Sequence, residues 1–529
     1  MIKKIQQDFS YYSHEFKDNY RKGVHRLRTI LASRAQAQAF VSNAGGVAVV
    51  LGYEPETPDK NAQELYALLA ASPYINNAVQ TFLGSIYEAG AESQDAMYAD
   101  SARCLEILHD PVLSRAAGAG TVSAGKWIAT LAGQSCAAYT DIAAVAASET
   151  AMTAVAASET AMAAVVSNAT ALNAVVTSQL AMNAVAASET AMAAVIGNVT
   201  ALNAVVTSQL AMNAVAASET AMTALIANTA AFNTVVTSHV AMNAVASSYV
   251  AVAAVYESAV AVEAVKANET AWATLTGATS AVMGKAAAKL AGLNPADYAD
   301  MDAIASSSTA MAAIAASQTA MAAIAASQTA MAAIASSSTA MAAVAASYVA
   351  VVAVYGSAVA VDAVKANETA WATLTGATSA VMGKAVAVLS GLNPDSYADM
   401  TAVASSSTAM AAIAASQTAM AAVASSNTAR TAITNSATAK NALASSPLKT
   451  TVTKGNGNGW ENRTIRNGMG YLISCYNANS GGEAESTWYK LDGAQTSQPA
   501  GTTNVGKFFT SFLAIYWWSS TSSVTYIPC

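Results

Sequence analysis

The chain is dominated by a ten-residue unit, seen in Ser188-Glu-Thr-Ala-Met-Ala-Ala-Val-Ile-Gly197 and its successor Asn198-Val-Thr-Ala-Leu-Asn-Ala-Val-Val-Thr207. Variants of this unit extend from about residue 141 to residue 446. Ser or Asn almost always comes first, Ala comes fourth, and apolar residues fill the fifth, seventh and eighth positions. Self-similarity at a fixed period is the signature of a repeat architecture. We call this stretch the decad array.

Each decad is predicted to form one short helix. Ser and Asn are preferred at helix N-caps because their side-chain oxygen accepts a hydrogen bond from an unpaired backbone amide. Proline is tolerated at the first helical position, so Asp110-Pro111, Ser72-Pro73 and Ser446-Pro447 are expected to open helices in the same way.

Two arrangements of the decads remain open at this point. Three core positions in ten residues give a period of about 3.3, which lies below the 3.5 of a left-handed coiled coil and disfavours one continuous helix. The triplet Ser-Glu-Thr recurs at Ser158, Ser188 and Ser218, every thirty residues. We therefore expect short helices stacked as rungs, three to a turn, with a continuous coiled coil as the alternative.

The composition excludes several classes of protein. Of 529 residues, 54% are hydrophobic and 11% charged, and the net charge of −7 gives no reason to expect a nucleic-acid partner. A membrane-spanning helix needs about 20 apolar residues in succession, whereas Ser, Thr, Asn or Glu interrupts the array every few positions. Four cysteines are too few and scattered for a disulfide framework or a zinc site, although Cys475 and Cys529 could bridge.

Residues 1–40 are predicted to form an amphipathic helical segment that either docks on a larger assembly or caps the array. The segment is basic and has no apolar region of a signal peptide. Residues 41–140 are expected to form a helical N-terminal domain. The basic residues of the segment are Lys3, Lys4, Lys17, Arg21, Lys22, Arg26, Arg28 and Arg34.

The array is predicted to be interrupted twice, at about residues 267–300 and 366–399. Each interruption contains Ala-Asn-Glu-Thr-Ala-Trp, and 99 residues separate Gly292-Leu-Asn-Pro295 from Gly391-Leu-Asn-Pro394. Glycine at a helix end followed closely by proline is a stop signal.

Residues 447–529 contain no decads and are predicted to form a small all-β tip domain. They alternate apolar and polar residues between Gly- and Asn-rich turns. An exposed aromatic ring near amide side chains suits a sugar ring, so this domain supplies the candidate receptor contacts. They are Trp488, Tyr489, Trp517 and Trp518.

No residue pattern indicates a catalytic, cofactor-binding or metal site, and we do not expect an enzyme. A glycan-cleaving enzyme would need paired carboxylates in a groove. The tip offers Glu483 and Glu485 in a Gly-rich loop, and a solvated turn explains that pair better.

The Ser-x-Thr-Ala-Met-x-Ala-Val-Ala-Ala array between a docking region and an aromatic-rich β tip resembles the tail fibres of tailed bacteriophages. The resemblance covers roughly residues 141–446. It implies a virion protein made in the host cytoplasm, attached by its N-terminus to a baseplate or tail protein. The C-terminal tip would bind host surface polysaccharide or an outer-membrane protein, in a fibre that is often a homotrimer. The alternatives are a structural virion fibre, whose tip binds another virion protein, and a bacterial surface adhesin.

Overall fold

The computed structural model describes residues 2–16, 20–52, 60–87, 93–479 and 486–529. Their secondary structure is mainly helical up to residue 444 and consists of β-strands from residue 450 onward. The predicted fold class, short capped helices followed by a small β domain, is confirmed. The chain divides into two compact units, Met1–Leu275 and Thr276–Cys529, which are considered in turn.

Within its described residues, the first unit begins with ten helices. The segment 1–40, predicted as one amphipathic stretch, forms three helices with a break at Ser33, and α1 packs on α2 and α4. The bounds are α1 Ile2–Phe16, α2 Tyr20–Ala32, α3 Arg34–Val41, α4 Ala44–Leu51, α5 Lys60–Ala70, α6 Ile75–Ile86, α7 Gln94–Tyr98, α8 Ser101–His109, α9 Pro111–Ala119 and α10 Thr121–Leu131.

The decad array of the first unit follows a 3-10 helix at Cys136–Ala138. Almost every decad forms one helix of eight or nine residues, as the cap pattern predicts. The bounds are α11 Ile142–Ala146, α12 Glu149–Ala157, α13 Glu159–Val166, α14 Ala169–Val176, α15 Gln179–Ala187, α16 Glu189–Gly197, α17 Val199–Thr207, α18 Gln209–Ala216, α19 Glu219–Ala227, α20 Thr229–Thr237, α21 His239–Ala246, α22 Tyr249–Glu257, α23 Ala259–Lys266 and α24 Glu269–Thr276.

Most rungs of this unit pack on the rung three places later in the chain. Helix α12 contacts α15, α15 contacts α18, and α18 contacts α21. Successive helices turn sharply, by 100° between α15 and α16 and by 95° between α17 and α18. Three decads therefore make one layer. The array forms the predicted stacked rungs and not the alternative, a continuous coiled coil. The buried Ala, Met and Val positions of each decad form the core.

The first residue of each decad caps its helix as predicted. The side-chain oxygens of Ser148, Ser158 and Asn168, for example, accept from the backbone amide three residues later. Many of the serines also donate to a carbonyl of the preceding layer, 32 residues back: Ser178 to Ala146, Ser188 to Ala156, Ser208 to Val176, Ser238 to Val206 and Ser248 to Ala216. One hydroxyl thus closes a helix end and joins two layers.

The second unit repeats this arrangement over fifteen helices within the described residues, with 3-10 helices at Pro295–Asp297 and Pro394–Ser396. Its helix α34 packs on α31 and α37, so the second interruption is itself a rung. The bounds are α25 Ser280–Leu290, α26 Met301–Ser306, α27 Ser308–Ala316, α28 Gln318–Ala326, α29 Gln328–Ser336, α30 Ser338–Ala346, α31 Tyr348–Tyr355, α32 Ala358–Lys365, α33 Glu368–Thr375, α34 Ser379–Leu389, α35 Met400–Ser405, α36 Ser407–Ala415, α37 Gln417–Ser425, α38 Asn427–Thr434 and α39 Ala437–Ala444.

The structure adds a third copy of the interruption, at residues 121–146, to the two predicted from sequence. In each copy an eleven-residue helix ends before a glycine with positive φ, then come a 3-10 helix and an aspartate cap. The last residue of that helix accepts from a serine hydroxyl 27 residues later in all three copies: Leu131 from Ser158, Leu290 from Ser317, and Leu389 from Ser416.

Two of the three proline-based helix starts were wrong. Pro111 does open α9 behind the cap Asp110. Ser446-Pro447, however, forms a turn in which the Ser446 hydroxyl accepts from the Leu448 amide at 3.1 Å. Ser72-Pro73 likewise forms a turn, and α6 begins only at Ile75. After Pro447 the chain enters the first β-strand instead of a helix, whereas after Pro73 the helix begins two residues late, with Tyr74 at its N-cap.

The C-terminal strands form two antiparallel four-stranded sheets. Sheet 1 has the order β1-β8-β3-β6, and sheet 2 has the order β2-β7-β4-β5. The bounds are β1 Thr450–Thr453, β2 Glu461–Asn467, β3 Gly470–Asn477, β4 Trp488–Leu491, β5 Ala494–Ser497, β6 Gly501–Phe509, β7 Phe512–Trp517 and β8 Ser523–Pro528.

Residues from both sheets pack together as one sandwich core. Leu472 and Phe509 of sheet 1 meet Leu513, Ile515 and Trp517 of sheet 2 in this cluster. Strand β3 is buried along most of its length because helix α37 covers it on the other side. Sheet 1 therefore lies between the helices and sheet 2, and the second face of sheet 2 points away from the sandwich core.

Candidate binding site

Three aromatic rings are stacked on the outward face of sheet 2. Trp460 lies 4.7 Å from Tyr516, centroid to centroid, with an interplanar angle of 8°. Trp488 lies 5.3 Å from Tyr516 at 19°. We call these three residues and Lys490, whose ammonium lies 4.6 Å from the Trp488 ring centroid, the aromatic stack.

The strand order explains why these distant residues meet. Tyr516 of β7 is in register with Asn462 of β2 and with Trp488 of β4. Because β7 lies between β2 and β4, the two tryptophans approach Tyr516 from opposite sides. Such cross-strand aromatic neighbours are within packing distance in any antiparallel sheet. The stack therefore extends from the loop that precedes β2, across β7, to β4.

A glycine-rich loop holds Trp460 in position. The backbone amide of Gly459 donates to Trp518 at 2.9 Å, and that of Gly455 donates to Ser520 at 3.0 Å. The Asn458 side chain accepts from the Ser520 amide at 3.0 Å. Gly459 has φ +148°, a conformation that side chains rarely adopt. These hydrogen bonds attach the loop to the residues that follow β7. Trp460, which is 42% exposed, is the last residue of the loop.

The neighbours of the stack are small neutral polar side chains. The strand register places Asn462 and Ser497 beside Tyr516 and Trp488, and Thr464 and Gln495 beside Ala514 and Lys490. These four polar residues are exposed. The face therefore combines aromatic carbon surface, hydrogen-bonding groups and one ammonium.

The four predicted contact residues fall on different sides of sheet 2. Trp517 is fully buried and Tyr489 is 4% exposed, both in the sandwich core. Burial also raises the pKa of Tyr489. We therefore remove these two from the candidate contacts. Trp488 belongs to the stack, and Trp518 is half-buried just beyond the end of β7.

Sequence reasoning did not select Trp460, Tyr516 or Lys490. The sequence offered one signal, the alternation of side chains along a strand. If Trp517 faces the core, its two neighbours, Tyr516 and Trp518, are expected to face the opposite side. Trp460 and Trp488 carry no such signal, since their proximity to Tyr516 depends on the order of the strands. The pair Glu483 and Glu485 lies outside the described residues.

The N-terminal region presents a separate surface of the first unit. The rings of Tyr12, Phe16 and Phe40 pack together at centroid distances of 5.5–5.8 Å. They line a cleft of about 260 Å³ that also contains Glu15 and Arg26, whose side chains approach to 3.9 Å. Lys22, Arg26, Arg28 and Arg34 are exposed, whereas the side chains of Lys3, Lys4, Lys17 and Arg21 lie outside the described part.

The remaining chemistry-bearing groups form no further site in the described part of the chain. All four cysteines are free, and burial raises the pKa of Cys475 and of Cys529 to about 12, which disfavours the reactive thiolate. No group of three or more His, Cys, Asp or Glu residues described by the structure is placed to hold a metal ion.

The described helices were also compared with the length and composition that a membrane-spanning helix requires. No single one of them is long and apolar enough to cross a membrane, although eight pairs of neighbouring helices, each bent at a short break, satisfy both criteria together.

Comparison with known proteins gives no relative from which a function could be transferred. No protein-family model matches the chain, and no curated protein matches its sequence.

Proposed function

We propose that this chain is a tail fibre protein of a tailed bacteriophage and that its C-terminal β-sandwich binds the host cell surface. The aromatic stack is the observation that carries the proposal. It places Trp460, Tyr516, Trp488 and Lys490 on the face of sheet 2 that points away from the sandwich core. Stacked aromatic rings that are partly exposed and already ordered are typical of recognition surfaces.

The decad array supports the same proposal from a different direction. A stack of near-identical rungs provides length without offering different chemistry at each layer. In the second unit the last rungs carry the sandwich directly, since the Gln417 side chain donates to the Pro528 carbonyl at 2.9 Å and α38 contacts β6. The sandwich is therefore mounted on the end of the repeat.

Attachment to the virion is assigned to the N-terminal region. Its exposed basic residues Lys22, Arg26, Arg28 and Arg34 offer a surface for a baseplate or tail protein. The packing of α1 on α2 and α4 makes this region part of a folded group of helices rather than a free helix. The helix contacts run from this group through α8, α9 and α10 to the array, which favours docking over capping for residues 1–40.

The test is saturable binding of the fluorescently labelled full-length chain to a panel of bacterial strains. Trp460→Ala shortens the stack at its exposed end and should abolish most of the binding. Trp371→Ala is the matched control, because Trp371 lies in an interruption of the array with Lys365 5.1 Å from its ring centroid. It should bind as the unaltered chain does.

Three outcomes would argue against the proposal. Loss of binding in Trp371→Ala alone would move the receptor site to the array. Equal binding by both variants would remove the stack from the site. Failure of the unaltered chain to bind any strain, combined with capture of a virion protein by the sandwich, would favour the structural fibre.

A further inference from the structure

We infer that the aromatic stack binds an acidic polysaccharide, a chain of sugar rings that carry carboxylate groups. The inference rests on the proposed function and specifies the ligand class at that site. A sugar ring would pack its C–H face against the exposed part of Trp460 and the edges of the neighbouring rings. A carboxylate along the same chain would pair with Lys490.

The stack is organised before any ligand arrives. Tyr516 is held between two tryptophans at interplanar angles of 8° and 19°. The backbone hydrogen bond from the Gly459 amide to the Trp518 carbonyl anchors the loop residue next to Trp460. Ordering a side chain on binding costs conformational entropy. Rings that already restrain one another avoid most of that cost, which suits a weak, repeating ligand.

The charges of the sandwich favour an acidic ligand over a neutral one. The strand register identifies which residues of the described strands lie on the outward face of sheet 2. Among them, Lys490 is the only charged residue. Glu461 is in register with buried Trp517 and therefore belongs to the other side of β2. The Asp492 carboxylate is occupied by hydrogen bonds from Thr510, Ser511 and Phe512. Among the described strand residues of this face, a ligand carboxylate thus meets a cation and no opposing anion.

The polar neighbours favour a polysaccharide over a protein. A stable protein–protein interface buries about 1,200–2,000 Å² in total and has an apolar centre surrounded by a polar rim. Here the rings form a narrow row between exposed Asn462, Thr464, Gln495 and Ser497, on strands of four to seven residues. The amide and hydroxyl groups of these side chains can form hydrogen bonds with the hydroxyl groups of a sugar chain.

The experiment measures the affinity of the full-length chain for soluble polysaccharides by affinity electrophoresis. Alginate, polygalacturonate and hyaluronate carry carboxylates, and dextran and amylose are neutral. The unaltered chain should prefer at least one carboxylated polymer, and added salt should weaken that binding. Trp460→Ala should weaken binding about tenfold, and Lys490→Gln should weaken it about threefold for the carboxylated polymer only.

Lys507→Gln is the matched control, because it removes the same charge from an exposed residue of β6 in the other sheet. Equal losses in Lys490→Gln and Lys507→Gln would overturn the inference, and so would absence of binding to every carboxylated polymer. Near-ultraviolet circular dichroism verifies that each variant is folded. If cells still bind in a Trp460-dependent manner while all polysaccharides fail, the ligand class is wrong and the proposed function stands.

Discussion

The Ser178 hydroxyl donates to the Ala146 carbonyl at 2.6 Å and at the same time accepts from the Ala181 amide at 3.2 Å. The first bond crosses between layers of the decad array, and the second closes the helix that Ser178 begins. Because 32 residues separate donor and acceptor, the bond requires three decads per layer. A side chain that a sequence analysis assigns only to a local cap thus also sets the alignment of the layers.

Removing this hydroxyl should loosen one corner of the array. Ser178→Ala deletes both bonds and should lower local stability by roughly 1–2 kcal/mol. Hydrogen exchange at the Ala181 amide should then be about tenfold faster. Ser178→Asn is the control, since Asn168 and Asn198 cap their helices at this position. Unchanged exchange in Ser178→Ala would contradict the double role.

Lys126 should be far more important for stability than its counterpart Lys384. In the copy of the interruption at 121–146, Lys126 is 8% exposed, pairs with Asp95 and donates to the Tyr139 carbonyl at 3.1 Å. Lys384 pairs with a largely exposed Asp395 at 3.1 Å.

Lys126→Ala leaves buried acceptors unpaired and should cost roughly 3 kcal/mol, whereas Lys384→Ala should cost about 1 kcal/mol or less. Differential scanning calorimetry of the full-length variants compares the two. Equal shifts in the unfolding temperature would show that burial of the Lys126 ammonium is not the deciding factor.

The decads were predictable because two independent signals coincide in every copy. Ser or Asn marks the start of each helix. Three core positions in ten residues give a period of about 3.3, which is too short for a regular coiled coil. The copy of the interruption at 121–146 was not recognised from the sequence because it shares with the others only short matches, such as Gly125-Lys126, Leu131-Ala-Gly133, Tyr139 and Asp141. The Leu-Asn-Pro of the other copies is replaced there by Gln134-Ser-Cys136, although the backbone path is the same.

The aromatic stack depends on information that a linear pattern does not contain. Trp460, Trp488 and Tyr516 come together only because β7 inserts between β2 and β4. Alternation alone states that Trp517 and Trp518 face opposite ways, and the packing of sheet 2 on sheet 1 decides which one is buried. Of the residues selected from the sequence, Trp488 lies in the stack, whereas Trp517 and Tyr489 are buried in the sandwich core.

Glycine should be required at the ends of the interruption helices and dispensable at the ends of decads. Gly133 has φ +71°, and the Gln134 amide next to it donates to the Ala129 carbonyl at 2.8 Å, which closes the helix. Gly133→Ala should cost roughly 1–2 kcal/mol because a side chain is strained in this conformation. Gly197 ends α16 in open space with an ordinary φ.

Gly197→Ala is the matched control and should stabilise its helix by about 0.5–1 kcal/mol. Urea unfolding followed by circular dichroism at 222 nm distinguishes the two variants. Destabilisation by both would indicate that tight packing, rather than backbone conformation, selects glycine at these positions.

Asp492 should make the stability of the sandwich depend on pH. It occupies the turn between β4 and β5 with φ +52° and accepts from the Thr510, Ser511 and Phe512 amides at 2.7–3.1 Å. Burial acts to raise the pKa of Asp492, but the bonds from Ser511 and Thr510 outweigh it, and the pKa is lowered overall. The carboxylate therefore ties the β4–β5 turn to the turn between β6 and β7.

The direction of the pH effect follows from the lowered pKa. The bonds stabilise the folded state above the unfolded pKa of about 3.9, and this stabilisation is lost as the pH falls through the lower folded-state value. Asp492→Asn should lower protection of the Thr510 and Ser511 amides at neutral pH. Hydrogen exchange from about pH 5 to about pH 2 should show the difference between the two chains shrinking on acidification. Parallel curves would mean that the carboxylate charge contributes nothing to holding the two turns together.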